Sequence, residues 1–177
     1  NNNSFREGVT FHRGTIQDKG ITKIGSENLF MAYSHVAHDC FVGNENVFAN
    51  NAGIAGHVIM GNNITLGALT TVHQFCKLGD FSFVGMNTSI NMDIPAYVKV
   101  AADPARVIGL NTVGMTRNNI SSESISLIKK AFKLTYMKKL KIDHAIDKIK
   151  NLNKNKNDPY LDIFIKSIEV SERGILR

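Results

Sequence analysis

The sequence predicts a left-handed parallel β-helix over residues 1–102, followed by a small α-helical domain over residues 103–177. Three observations lead to this fold class. Bulky apolar residues recur at every sixth position from Ile24 to Ile90, and a small residue follows most of them. This spacing ends after Pro95, where patterns typical of amphipathic helices replace it.

The six-residue repeat runs through twelve successive hexads. A helix of 3.6 residues per turn would scatter these apolar residues around its axis, whereas short strands separated by turns keep them on one side. Three hexads, or 18 residues, would close one triangular coil, with the apolar side chain inside and the small residue after it allowing the corner to turn. Twelve hexads therefore predict four coils. The recurring residues are Ile24, Phe30, Val36, Val42, Phe48, Ile54, Met60, Leu66, Val72, Leu78, Val84 and Ile90. The fifth position of each hexad is small or β-branched, except at Asn28 and Asn46.

An irregular segment precedes the regular coils. Val9 to Arg13 matches part of an earlier coil, and residues 15–23 break the spacing, so we expect a loop excursion there. The chain opens on three asparagines without a methionine, which indicates the C-terminal part of a longer protein.

The two cysteines are predicted to stay unpaired. Cys40 and Cys76 are 36 residues apart and so share one column of the solenoid, two coils from each other. At about 4.8 Å per coil their separation is about 9.6 Å, beyond the reach of a disulfide. Buried free thiols are consistent with a cytoplasmic location.

Three helices are expected in the C-terminal domain. Ser121 or Ser122 is a suitable N-cap for a helix running to about Lys139. A second helix fits residues 143–152, and a polar linker follows over residues 153–157. Asp158 before Pro159 is a cap and first-turn pair for the third. The expected apolar faces consist of Ile125, Ile128, Phe132 and Tyr136 in the first helix, and Leu161, Phe164, Ile165 and Ile168 in the third.

Composition and charge narrow the function classes. With 43% hydrophobic and 20% charged residues, the chain is not a disordered one. No apolar run approaches the roughly 18–20 residues of a membrane span. The net charge of +6 falls entirely within residues 121–177, which could attract an acidic protein, a membrane surface or nucleic acid, or could be a solvated helix surface. No nucleic-acid recognition motif accompanies it.

Four histidines are predicted to cluster: His35, His38, His57 and His73, at about one-coil spacing and outside the inward positions. One hypothesis makes a histidine a general base, with Gly56, 18 residues after His38, offering its N–H to an oxyanion. A second is a zinc site of three histidines, as in the hexapeptide class of carbonic anhydrase, although its His-x4-His pair is missing. A third is a trimeric scaffold with the histidines at the interface.

Several motifs resemble those of the cytoplasmic UDP-N-acetylglucosamine acyltransferases, which start lipid A synthesis in Gram-negative bacteria. The resemblance spans essentially the whole chain. It rests on Ser34-His35-Val36-Ala37-His38-Asp39-Cys40, Gly53-Ile54-Ala55-Gly56-His57-Val58, Val72-His73-Gln74-Phe75-Cys76, His12-Arg13-Gly14-Thr15 and the closing Arg173-Gly174-Ile175-Leu176-Arg177.

This resemblance implies a homotrimer with active sites between subunits. It implies transfer of an (R)-3-hydroxyacyl chain from acyl carrier protein to the 3-hydroxyl of UDP-N-acetylglucosamine, with no cofactor and no metal. By the same resemblance His38 is the general base and the Gly56 N–H the oxyanion donor, while the role of Asp39 stays open. The implied substrate-binding residues are His35, His57 and Gln74 for the sugar and acyl groups, Asn111 and Arg117 for the uridine diphosphate, with His12 and His73 in support. Acyl carrier protein is acidic, so the basic helical surface, with Lys129, Lys130, Lys133, Lys138, Lys139 and Lys141, is its expected docking region.

The sequence departs from the family at three positions. Asn118 replaces a second arginine, and Val113 replaces an acidic residue, which changes the expected nucleotide contacts. Met86 stands at the position that acts as acyl-chain ruler, where a glycine admits a longer chain, so the resemblance predicts a donor of about C10–C12. Two alternatives stay open: the related UDP-3-O-acyl-glucosamine N-acyltransferase, and a 3-amino sugar as acceptor.

Overall fold

Each hexad contributes one two-residue strand to a parallel β-solenoid. The chain is described from a computed structural model that covers residues 1–17 and 20–177. The strands of the coils are β1 Ser4–Phe5, β2 Thr10–Phe11, β3 Lys23–Ile24, β4 Leu29–Phe30, β5 His35–Val36, β6 Phe41–Val42, β7 Val47–Phe48, β8 Gly53–Ile54, β9 Ile59–Met60, β10 Thr65–Leu66, β11 Thr71–Val72, β12 Lys77–Leu78, β13 Phe83–Val84 and β14 Ser89–Ile90. Two longer strands follow, β15 Val98–Ala101 and β16 Arg106–Leu110.

The strands stack into three sheets that form the sides of a triangular prism. Sheet I has the order β1-β4-β7-β10-β13-β15-β16, sheet II the order β14-β11-β8-β5-β2, and sheet III the order β12-β9-β6-β3. In the regular coils paired residues are 18 apart, as in Thr65↔Phe83, which confirms the predicted coil length and fold class.

Strands β1 and β2 pair with the first regular coil at a different residue spacing from the one between regular coils, and the expected excursion explains this difference. Ser4 pairs with Leu29 and Thr10 with His35, so the offset is 25 residues instead of 18. The seven extra residues lie between β2 and β3, within the predicted excursion at residues 15–23. Asp18 and Lys19 of that excursion lie outside the described residues.

The corners turn at non-glycine residues with positive φ, three positions after each inward apolar residue from Ile24 to Val84. These residues have φ of 51–65°. Their N–H groups donate to carbonyls of the coil below, as His57 does to the His38 oxygen at 3.0 Å, except that the Asp39 N–H donates to the Thr22 hydroxyl. Stacked corner residues are Asp39, His57 and Phe75 at corner A, Glu45, Asn63 and Phe81 at corner B, and Asn51, Leu69 and Asn87 at corner C.

The small residue of each hexad was predicted to let the corner turn, but in the structure it lets two neighbouring coils approach each other. A Cβ added to Gly43 would lie 2.4 Å from the Gly61 oxygen. The small residues permit adjacent coils to stack closely, and the corner itself turns at the positive-φ residue two positions later.

The interior is filled by the inward apolar column, with the two asparagine exceptions in a buried ladder. Asn28 and Asn46 are 1% and 0% exposed. The Asn28 Oδ1 accepts from the Asn46 N–H at 2.8 Å, the Asn46 Oδ1 accepts from the Ile64 N–H at 2.8 Å, and the Asn46 Nδ2 donates to the Gly61 oxygen at 3.0 Å. A polar side chain is tolerated inside because its amide groups are paired.

Cys40 and Cys76 are buried and free, as predicted. Burial raises the pKa of each thiol to about 11. The Cys40 thiol donates to the Ala55 oxygen at 3.0 Å.

The C-terminal helices match the predicted ones and add a short helix. They are α1 Thr112–Arg117, α2 Ser122–Phe132, a π-helical segment Lys133–Met137 that continues α2, α3 Ile142–Asn153 and α4 Pro159–Glu169. Ser121 and Asp158 are the N-caps of α2 and α4, as expected. Helix α1 was not predicted, because six residues are too few to show a periodic pattern.

The helical part and the solenoid share one apolar core. The Tyr97 hydroxyl donates to the Tyr160 oxygen at 3.1 Å, and buried Asp93 accepts from the Lys77 N–H at 2.7 Å and the Ser171 hydroxyl at 2.7 Å. The β15–β16 hairpin crosses the expected boundary at residue 102, which stays a prediction. Among the described residues, no helix combines the length and apolarity that a membrane crossing requires.

Candidate functional site

A histidine and a carboxylate form a pair at corner A. His38 Nδ1 lies 3.0 Å from Asp39 Oδ2. The His38 side chain is 39% exposed, whereas that of Asp39 is 1% exposed. The imidazole thus faces solvent on one side and a buried carboxylate on the other.

Hydrogen bonds from Thr15, in the excursion before β3, fix the position of the Asp39 carboxylate. The Thr15 N–H donates to both Asp39 oxygens, at 3.1 and 3.0 Å, and the Thr15 hydroxyl donates to Oδ2 at 2.7 Å. Removal from water opposes ionisation, but hydrogen bonds from Thr15 and His38 outweigh it, so the pKa of Asp39 is lowered. An ionised carboxylate only accepts hydrogen bonds, so Nδ1 of His38 carries the shared proton. In the neutral form of the ring, Nε2 is then the nitrogen with the free lone pair.

Gly56 lies one coil above His38 and leaves room for its ring. A Cβ at Gly56 would lie 2.6 Å from His38 Cε1 and 2.7 Å from Nε2. Within the described part of the chain, no group accepts a hydrogen bond from the Gly56 N–H. The glycine, which is itself buried, therefore places an unpaired backbone donor near Nε2 of His38.

Aromatic rings continue corner A upward from His38. The His57 ring meets the His38 ring edge to face at 5.1 Å, and the Phe75 ring stacks on His57 at 4.6 Å. The predicted position of His57, one coil up and one residue along, is confirmed by its N–H bond to the His38 oxygen.

The other predicted histidines lie beside this group. On sheet II, His35 Nδ1 lies 2.8 Å from the Thr10 hydroxyl, and its ring is 4.6 Å from that of His12. Burial, and then electrostatic repulsion between the two rings, lower the pKa of His35. His73 and Gln74 are exposed on the third coil, with His73 Nδ1 3.1 Å from the Gln74 oxygen.

Three predicted site residues are not brought to corner A within one chain. Asn111 is the N-cap of α1, accepting from the Gly114 N–H and donating to the Phe81 oxygen at corner B, and Arg117 ends that helix. Met86 lies next to Asn87 at corner C and is 70% exposed. It follows His38 by 48 residues, which is two coils and two further hexads, so the two residues occupy different corners.

The same corner contains a set of potential metal ligands. Ligand atoms of His38, Asp39 and His57 lie within 4.8 Å of one another. The set contains two imidazoles and one carboxylate, which differs from the three-histidine zinc site considered from the sequence.

Comparison with known proteins shows which family this chain resembles. A family model described as UDP-N-acetylglucosamine O-acyltransferase, domain 2, matches residues 93–176. The acyl-[acyl-carrier-protein]–UDP-N-acetylglucosamine O-acyltransferase of Ectopseudomonas mendocina is 43% identical over 99% of this chain and 67% of its own length.

This chain belongs to the UDP-N-acetylglucosamine O-acyltransferase family. The solved LpxA structure from Acinetobacter baumannii is 45% identical, with a TM-score of 0.96 over 100% of this chain and 68% of that one. The enzyme from Moraxella catarrhalis is 43% identical with the same TM-score and coverage. The predicted family and the predicted enzyme class, an O-acyltransferase, are confirmed.

Membership of this family favours acyl transfer over the zinc and scaffold hypotheses. The structure also places Asp39 in the candidate site, next to His38. The sequence had left the role of Asp39 open. Its adjacency to His38 was visible, but side chains of neighbouring residues in an extended segment usually point apart. The positive φ of Asp39, 58°, turns its carboxylate toward the preceding imidazole, and this could not be read from the residue types.

Proposed function

We propose that the protein transfers an (R)-3-hydroxyacyl group from acyl carrier protein to the 3-hydroxyl of UDP-N-acetylglucosamine, with His38 as the general base. The observation that carries this proposal is the hydrogen bond from His38 Nδ1 to the buried, ionised Asp39. It orients the ring and keeps Nε2 basic next to the Gly56 N–H. This is the arrangement that general base catalysis of acyl transfer requires.

The proposed reaction proceeds by direct attack. His38 Nε2 takes the proton of the sugar 3-hydroxyl as its oxygen bonds to the thioester carbonyl carbon. The resulting oxyanion accepts a hydrogen bond from the Gly56 N–H. Collapse of this intermediate breaks the C–S bond, and the imidazolium returns the proton to the departing thiolate. The Asp39 charge stabilises the imidazolium in between.

The remaining predicted residues are assigned to substrate binding. His35, His57 and Gln74 would contact the sugar and acyl groups, and His12 and His73 would support them. Arg117 is exposed and its guanidinium suits a pyrophosphate. Asn111 already caps α1 and bonds Phe81, so any nucleotide contact would use its remaining hydrogen-bonding capacity.

A complete site would require a second copy of the chain. Met86, Asn111 and Arg117 lie away from corner A, so they could reach the same substrate as His38 only from an adjacent subunit. We therefore propose the homotrimer that the family resemblance implies, with Met86 of one copy facing the acyl chain held beside His38 of another.

The proposal is tested by acyl transfer from 3-hydroxyacyl carrier proteins to UDP-N-acetylglucosamine. His38→Ala should abolish transfer, and Asp39→Asn should lower kcat by about 10²-fold or more, because general base catalysis contributes that much. His144→Ala, an exposed histidine on α3, is the matched control. Full activity of His38→Ala would refute the base assignment, and loss of wild-type activity in a chelator would support a metal at the His38–Asp39–His57 cluster instead.

Donor length tests the assignment of Met86. Across a series from C8 to C16, the wild type should prefer about C10–C12, and Met86→Gly should prefer a chain longer by roughly three or four methylenes, since the removed side chain fills that length of groove. An unchanged preference in Met86→Gly would show that the ruler lies elsewhere.

A further inference from the structure

Two threonines from the excursion hold Asp39, the residue that bonds His38. Thr15 lies 24 residues before Asp39, and Thr22 lies 17 residues before it. The Thr15 hydroxyl donates to Asp39 Oδ2 at 2.7 Å, whereas the Thr22 hydroxyl accepts from the Asp39 N–H at 2.9 Å. The carboxylate and the backbone of Asp39 are therefore held by different residues, and a substitution of Thr15 can release the carboxylate alone.

The bonds from Thr15 fix the rotation of the Asp39 carboxylate as well as its position. The Thr15 N–H donates to both carboxylate oxygens, at 3.1 and 3.0 Å. The Thr15 hydroxyl bonds Oδ2, which is the same oxygen that faces His38 Nδ1 at 3.0 Å. Because the Asp39 side chain is 1% exposed, water does not readily replace a lost donor. Thr15 is therefore placed to act on the imidazole through Asp39.

A glycine closes the neck of the excursion, immediately before Thr15. A Cβ added to Gly14 would overlap the Gly20 carbonyl carbon and the Ile21 nitrogen. Such a close approach of one backbone segment to another requires the absence of a side chain. The neck therefore fixes the backbone that leads into Thr15, so that the Thr15 N–H and hydroxyl approach Asp39 from a defined direction.

We propose that Thr15 is a positioning residue for acyl transfer, which fixes the Asp39 carboxylate so that His38 directs Nε2 to the sugar hydroxyl. This inference rests on the proposed function, in which His38 is the general base. A neutral imidazole accepts a proton at one nitrogen only, and the bond made by the other nitrogen selects which one.

The hydroxyl of Thr15 carries this role because it bonds the oxygen that faces His38. Without it, the Asp39 carboxylate would be free to rotate about its Cβ–Cγ bond. Part of the His38 rings would then carry the proton on Nε2, and a ring in that tautomer cannot take the proton of the sugar hydroxyl. The loss of Thr15 would therefore reduce the fraction of active sites that are ready to react, without changing the residues proposed to bind the substrates.

Kinetics of three variants test this role. Thr15→Val keeps the shape of the side chain but lacks the hydroxyl, so kcat should fall about tenfold while KM for both substrates stays within about twofold. Thr15→Ser restores the hydroxyl and should keep at least about half of the wild-type kcat. Thr70→Val is the control for a merely structural loss, because the buried Thr70 hydroxyl donates to the Gly85 oxygen at 3.0 Å, beside corner C. It should melt earlier than the wild type yet keep the wild-type kcat. Wild-type kcat in Thr15→Val, or an equal fall in Thr15→Ser or Thr70→Val, would overturn the proposal.

The tautomer of His38 gives a readout that needs no transfer reaction. NMR of the substrate-free protein, with histidine labelled at its ring nitrogens, distinguishes a protonated nitrogen from an unprotonated one, and His38→Ala identifies the signals. At a pH where the ring is neutral, the wild type and Thr70→Val should show His38 with its proton on Nδ1. Thr15→Val should show a mixture of the two tautomers. An unchanged His38 signal in Thr15→Val would overturn the positioning role and leave the proposed function standing.

Gly14→Ala tests the same link while Thr15 and Asp39 stay unchanged. Its Cβ would force the neck apart and displace Thr15, so this variant should show the mixed His38 tautomers of Thr15→Val. Gly53→Ala, whose Cβ makes only ordinary contacts, should show the wild-type signal, and light scattering should show that both variants assemble as the wild type does. Because no substrate is present, absence of transfer in the wild type would refute the proposed function and not the link from Thr15 to His38. A wild-type His38 signal in a well-assembled Gly14→Ala protein would contradict that link.

Discussion

At the scale of single residues, the site depends on a missing side chain at Gly56. The His38 ring occupies the space that a Cβ would take, with Cε1 2.6 Å and Nε2 2.7 Å from its position. Nε2 is the atom proposed to take the substrate proton. A methyl group at this place would therefore displace the reactive atom itself.

Gly56→Ala should lower kcat by about 10²-fold, because a misplacement of about 1 Å is enough for such a loss. The fold should persist, since the φ of Gly56 is not among the positive values. Gly53→Ala is the control, because its Cβ would meet His35 atoms at 3.8 and 3.9 Å, an ordinary contact. The transfer assay and a thermal melt check both variants. Normal activity of Gly56→Ala would place the reactive atom elsewhere.

At the scale of elements, asparagine ladders tie successive coils together. One ladder is buried, through Asn28 and Asn46. The other is exposed, with the Asn44 Oδ1 accepting from the Ser26 N–H and the Asn62 Oδ1 from the Asn44 N–H, at 2.8 and 2.9 Å. The two ladders make similar bonds, but water can replace those of the exposed one only.

Asn46→Ala should therefore destabilise the fold by about 2–4 kcal/mol, because the Ile64 N–H and the Gly61 oxygen would each lose a buried partner. Asn44→Ala should cost less than about 1 kcal/mol. Denaturant unfolding monitored by circular dichroism measures both. Equal losses in the two variants would mean that burial does not set the value of these bonds.

The excursion before β3 is the second element with a measurable role, through its bonds to Asp39. The pKa of Asp39 is lowered in the folded state. Its contribution to stability is therefore present above the unfolded pKa of about 3.9 and is lost as the pH falls through the folded pKa.

Thr15→Val removes the hydroxyl donor to Asp39 and should raise that folded pKa. The variant should melt below the wild type at pH 6–7, and the gap should shrink as the pH falls below about 4. Thr22→Val is the control, because the Thr22 hydroxyl accepts from the Asp39 N–H, a bond that does not depend on carboxyl ionisation. A gap that stays constant with pH for Thr15→Val would contradict the account of Asp39.

At the scale of the whole molecule, the triangular cross-section separates the proposed site residues. His38 lies at corner A, Asn111 contacts corner B and Met86 lies at corner C. Buried apolar side chains fill the interior of the prism, so these corners do not meet through it. The site that we propose would therefore have to be shared between neighbouring chains.

Mixed assemblies test this requirement. His38→Ala and Arg117→Ala chains should each be nearly inactive alone. Co-expressed, they should recover activity in about a quarter of their sites, where the Arg117→Ala chain supplies His38 and the His38→Ala chain supplies Arg117. The transfer assay on purified mixed assemblies measures this recovery. No recovery in well-formed assemblies would mean that one chain supplies both residues.

Sequence and structure differ most where a side chain's partner lies on another coil. The Asn28 and Asn46 exceptions broke the hexad pattern, and only stacking showed that their amides satisfy backbone groups one coil away. Asp39 was adjacent to His38 in the sequence, but hydrogen bonds from Thr15, 24 residues earlier, help to lower the pKa of its carboxyl group.

The sequence by itself determined the solenoid, its 18-residue coil, the unpaired cysteines, the caps of α2 and α4 and the family, because period and motif are local properties of the chain. The tertiary structure alone decided which small residues contact the next coil, how Asp39 meets His38, and that Met86 and Arg117 lie away from corner A. These depend on distances between coils and on backbone conformation at the corners, where a left-handed φ at a non-glycine residue leaves no mark in the residue types.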